Sequence, residues 1–210
     1  MSAIPTRRIS PVRRLRQRKR FGALARTVVF SACIMALFTP HWAMAEVELK
    51  SNFVRLVFSD QDDIARLDKK IDFGDSGGWF AASTPAAAQE RLLRKIDAIY
   101  TKVQRILDMR KPPMQPTVVL QVARDEDELA AISVKIFKRR ASARAWYVYM
   151  HNTVYINVRD VHAGMIAHEL AHAIIDHYFS APPPRNTAEI LATAVDRSLF
   201  DEVKTRNDFQ

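Results

Sequence analysis

Residues 168–172 read His-Glu-Leu-Ala-His, inside a stretch whose pattern predicts a helix. Positions i and i+4 of an α-helix share a face, so His168 and His172 project side by side. Two imidazoles placed this way can hold one zinc ion. Glu169 beside them can then take a proton from a water at the metal. The chemistry this spacing permits is metal-assisted hydrolysis.

The surroundings of the motif sharpen that reading. Met165, Ile166, Ala167, Leu170, Ala171, Ala173, Ile174 and Ile175 make most of the helix surface apolar, which predicts a buried helix. His168, Glu169, His172 and Asp176 form its one polar stripe. An unpartnered buried polar group costs on the order of 1–3 kcal/mol, so this stripe needs partners, and a divalent cation with a water would serve. A catalytic zinc site takes three protein ligands and keeps one position open. Glu189, 17 residues beyond His172 and past Pro182-Pro183-Pro184, is the favoured third ligand. His177 is the rival. If the helix continues, His177 points about 140° away from His172, at 100° per residue. A second role for Glu189 is that of an acid placed early in its helix, where the macrodipole favours it.

Several elements must position these groups. Phe53–Phe58 and Thr117–Ala123 read as strands, and Asp60 to Ile71 as a short helix. Pro85 opens the longest amphipathic run, which reaches about Met109 and stops before Lys111-Pro112-Pro113. Asp125–Lys138 reads as a helix with acids in its first turn. Arg144–Met150 and Thr153–Val158 form a hairpin around His151-Asn152, where Asn tolerates positive φ. The motif helix spans Val161–Phe179, and a last helix, capped by Asn186 or Thr187, runs to about Phe200. The layout is α+β: a small mixed β-sheet with helices, the motif helix, and then a C-terminal helix bearing Glu189.

The net charge of +9 suggests nucleic acid, but its distribution excludes that partner. Nine of the 32 Lys and Arg residues lie in 1–45, leaving 23 against 23 acidic residues beyond Ala45. That arm has the order of a secretory signal peptide. A basic region ends at Arg26, an apolar run of 13 residues follows from Thr27 to Thr39, and Ala43-Met44-Ala45 offers a cleavage site. The run falls short of the roughly 20 residues that span a bilayer. Residues 46–210 then form one domain, exported to the periplasm or beyond, with an uncleaved inner-membrane anchor as the alternative. The single cysteine, Cys33, lies in the arm, so any metal ligands beyond it are His and carboxylates.

On His168, Glu169, His172 and Glu189, with a hairpin before them, the chain resembles the gluzincin branch of the zincin metallopeptidases. It is also similar to small bacterial peptidase-MA-like proteins. The resemblance covers roughly residues 117–200. It implies a zincin-like fold, zinc held by His168, His172 and Glu189, and Glu169 as general base. It also implies a peptide or protein substrate lying along an edge strand of the 144–158 hairpin. Tyr155 and Tyr178, with Tyr147 and His162, are the candidate donors to the developing oxyanion. Asp176, Thr193 and Asp196 are the groups placed to brace the ligands. Two positions depart from the family pattern. Thr193 stands where many gluzincins carry an acid, and Ile190 where relatives have glycine. The expected function is an exported zinc metallopeptidase; the alternative is a zinc-binding envelope protein of the same fold without turnover.

Overall fold

The computed structural model describes residues 46–74, 84–110 and 117–201. The predicted signal arm, the glycine-rich loop with Trp79 and Phe80, and Lys111-Pro112-Pro113 lie outside the described residues. Among the described residues no helix is long and apolar enough to cross a membrane.

Among the described residues a five-stranded mixed sheet carries five α-helices. The strands are β1 (Val47–Lys50), β2 (Val54–Phe58), β3 (Val118–Ala123), β4 (Ala145–Val148) and β5 (Thr153–Asn157). The helices are α1 (Asp62–Lys70), α2 (Pro85–Leu107), α3 (Glu126–Phe137), α4 (Ala163–Tyr178) and α5 (Arg185–Ser198). The order across the sheet is β1-β2-β3-β5-β4. The central strands β2, β3 and β5 run parallel, and each edge strand is antiparallel to its neighbour. β4 is therefore a free edge.

Local chemistry explains the boundaries. Thr84 caps α2 by accepting from the Ala87 N–H at 3.2 Å, with Pro85 in the first turn, where its missing N–H costs nothing. Asp125 caps α3 by accepting from the Glu128 N–H at 3.0 Å, and the Glu128 carboxylate reaches back to the Arg124 N–H at 2.7 Å. Asp108, Lys138 and Asn152 adopt positive φ at the ends of α2, α3 and the 3-10 turn Tyr149–His151. α1 is pinned to α2 by buried Asp68, which meets Arg91 and Lys95 at 2.9 Å each.

The strand period of two sorts side chains between the faces of the sheet. Val54, Leu56, Phe58, Leu120, Val122, Val154 and Ile156 join the main core with α1, α2, α4 and α5. Tyr155, Trp146 and Val148 pack on the other face, with Leu129, Ile132 and Ile136 of α3. Ala145 and Tyr147 of β4 lie against the main core. The free edge thus presents Tyr147 to α4 and Trp146 to α3.

Candidate metal centre

α4 starts at an imidazole cap: His162 Nδ1 accepts from the Met165 N–H at 3.2 Å. It ends as Phe179 turns extended before the three prolines. Its apolar face is buried as expected, and it packs on β4, β5, α2 and α5. Ala167 and Ala171 on α4 and Ala188 and Ala192 on α5 are all buried. Small residues such as these let two helix axes approach closely. α4 and α5 pack against each other, which brings Glu189 within reach of the motif histidines.

Glu189 Oε2 lies 3.6 Å from both His168 Nε2 and His172 Nε2. The three ligand atoms all fall within 4.8 Å of one another. A distance of 3.6 Å exceeds the roughly 2.7–3.2 Å of a hydrogen bond, so the groups do not satisfy one another directly. In tetrahedral coordination, ligand atoms about 2.0–2.1 Å from zinc sit roughly 3.3 Å apart. The observed gap is close to that value. Two imidazoles and a carboxylate also form a donor set suited to zinc. Burial pushes the His172 imidazole below its ordinary range, while neighbouring Glu189 pulls the other way. The neutral ring, the form that binds metal, is thereby favoured.

Glu169 is half-buried beside these ligands. Burial pushes its carboxyl up to about 7; the Tyr147 backbone N–H, which donates to it, pulls it down, and Glu189 raises it further. The free edge strand thus holds the carboxylate through its main chain. A cleft of about 600 Å³ opens over the centre. One wall is the sheet edge with Ala141, Ala143, Ala145 and Trp146, and another is Pro183, Arg185 and Ala188.

The structure brings His168, Glu169, His172 and Glu189 together and places Asp176 on the cleft. His177 is engaged elsewhere: its Nε2 is 3.1 Å from the Tyr147 hydroxyl, and its ring stacks on Tyr149 at 5.4 Å. Two candidate oxyanion donors lie away from the cleft. Tyr155 points to the α3 face of the sheet, stacks on Trp146 and meets His151 Nδ1 through its hydroxyl at 3.2 Å. Tyr178 is exposed at the end of α4 against Phe179 and does not line the cleft. Thr193 lines a separate shallow groove with Glu189, Ile190 and Arg197. Asp196 lies against Gly164 in the first turn of α4. Neither braces a ligand from within the cleft.

Three features escaped the sequence. The Tyr147 main chain has no residue signature. His162 looks like a surface histidine until its cap bond is seen. Arg185, four residues before Glu189, approaches it at 3.8 Å; the i,i+4 spacing was the available signal. Comparison with protein-family models, curated proteins and solved structures gives no match, so the functional reading rests on this geometry.

Proposed function

We propose that the chain is an exported zinc-dependent metallopeptidase of zincin-like fold, acting on peptides or proteins. The observation that carries the reading is Glu189 Oε2 lying 3.6 Å from both motif imidazoles, with Glu169 beside them. His168, His172 and Glu189 would hold the ion. Zinc bound there supplies Lewis-acid activation of water and of the scissile carbonyl. Glu169 accepts the proton of the attacking water. It then delivers that proton to the leaving amine nitrogen as the C–N bond breaks. The Tyr147 N–H fixes the orientation of Glu169. Beyond the Tyr147 N–H that Glu169 uses, the outer edge of β4 leaves its remaining main-chain groups for an extended peptide.

Export belongs to the same proposal, with cleavage after Ala45; a mature chain beginning at Glu46 by mass spectrometry is the expected result. For the reaction, elemental analysis of purified protein should give one zinc per chain. Glu169→Gln should keep that zinc and lose hydrolysis of a casein or peptide-library substrate. Absence of stoichiometric zinc in the wild type sinks the proposal.

A second reading, zinc binding without turnover, draws on Thr193, which faces a separate groove where an acid would otherwise brace a ligand histidine. Full zinc occupancy with no Glu169-dependent cleavage across the library would favour it.

A further inference from the structure

The arginines around the cleft differ in what neutralises them. Arg140 pairs with Asp127 at 3.0 Å, and Arg144 with Asp160 at 3.1 Å. Arg139 lies in the same segment, lines the cleft, and makes no ion pair among the described residues. Arg185 lines another wall of the cleft, and its side chain is 91% exposed. Among the described residues it pairs with Glu189 alone, at 3.8 Å. A Glu189 carboxylate engaged with a cation is no longer available to offset it.

Between Arg139 and β4 the chain turns alternate residues into the cleft: Ala141, Ala143 and Ala145. None of the three projects more than a methyl group, so a substrate can lie close along this segment as far as Arg139. With a dication bound, the cleft's formal charges are the ion, Arg139 and Arg185 against Glu169, Glu189 and Asp176, a net of +1. Two of its acids, Glu189 and Glu169, are taken up by the metal and the reaction on this reading, which leaves Arg139 and Arg185 facing Asp176 as the remaining charges of the cleft.

We infer that the cleft selects anionic peptides, with Arg139 and Arg185 receiving a substrate carboxylate. The carboxylate is either the free C-terminus or an acidic side chain near the scissile bond. Recognition draws on the guanidinium fork, which matches a carboxylate in two parallel hydrogen bonds. This inference rests on the peptidase reading of the same site.

The test uses the zinc-loaded Glu169→Gln protein and peptides matched in pairs. One pair is acetyl-tetraalanine as the free acid and as the C-terminal amide. The other is an amidated peptide with Glu or Gln at one internal position. Calorimetry should show the charged member of at least one pair binding roughly fivefold tighter, the order expected of one or two exposed ion pairs. Which pair responds identifies the source of the carboxylate. Arg139→Gln and Arg185→Gln should each reduce that ratio, and the double variant should remove it. High salt should also shrink it, because exposed charges are screened. Equal binding of charged and neutral members overturns the inference, as does a ratio unchanged in the double variant. Hydrolysis by the wild type separates the two levels. Neutral peptides cleaved as readily as anionic ones refute the arginine assignment alone. No cleavage of any peptide refutes the peptidase reading and this inference with it.

Discussion

Glu169 should make the protein, stripped of any metal, less stable as pH rises toward neutrality. Burial lifts its carboxyl from an ordinary 4.5 to about 7. The sign follows from linkage: a carboxyl harder to ionise in the folded state costs stability wherever the unfolded chain would ionise it. Below pH 4.5 it is protonated in both states and costs nothing. Between 4.5 and 7 the unfolded chain releases the proton while the folded chain keeps it, so stability falls as pH rises. Above 7 the loss is complete, about 3 kcal/mol at about 1.4 kcal/mol per tenfold change in proton affinity.

Removing the charge should therefore help. In the presence of a chelator, Glu169→Gln should match the wild type near pH 4.5 and exceed it at pH 8 by up to about 3 kcal/mol, or roughly 6–12 °C in melting temperature. The Gln carbonyl can still accept from the Tyr147 N–H, which limits the loss from substitution. The measurement is urea denaturation of both proteins from pH 4.5 to 8, read as their difference. His172 acts in the opposite direction, since its lowered imidazole makes stability fall as pH drops below its ordinary 6.5. That contribution is common to both proteins and cancels in the difference to first order. A pH-independent difference, or a variant less stable than wild type at pH 8, would refute the reasoning.

Other expected outcomes test the site and its frame. His172→Ala and Glu189→Ala should each drop zinc after dialysis well below one ion per chain, whereas His177→Ala should retain it, because His177 contacts Tyr147 and Tyr149 instead. Asp68→Ala should cost about 1.5–3 kcal/mol by urea denaturation, since it removes the carboxylate that Lys95 and Arg91 meet at 2.9 Å between α1 and α2. Asn152→Ala should lower stability by about 1–2 kcal/mol, because Asn152 sits at φ 47° and its amide donates to the Thr117 carbonyl at 3.0 Å. Asn152→Gly should cost less, as glycine tolerates that φ.

What could be read from the sequence divides by the range of the interaction that decides it. His168 and His172 share a face because of helix geometry alone, and the apolar run around them is strong enough to predict α4 to within two residues at its start. The caps Thr84 and Asp125 bound α2 and α3 by equally local bonds. β1 was missed because its alternation, with Leu49 alone buried, is faint, and it gains meaning only by pairing with β2. The face that Tyr155 takes is illegible for a different reason. Every residue of β5 is buried, which erases the alternation that would distinguish one face of the strand from the other. The face toward α4 is set by the helices packed on each side, and those are long-range facts. Glu189 stands between these cases. Its helix was legible, but its arrival 3.6 Å from two imidazoles depends on small residues on both α4 and α5. Enlarging buried Ala192 should disturb the packing of α5, and with it the position of Glu189, without touching a candidate ligand. Residues that only let helices approach are thus as much a part of this centre as the groups that would hold its metal.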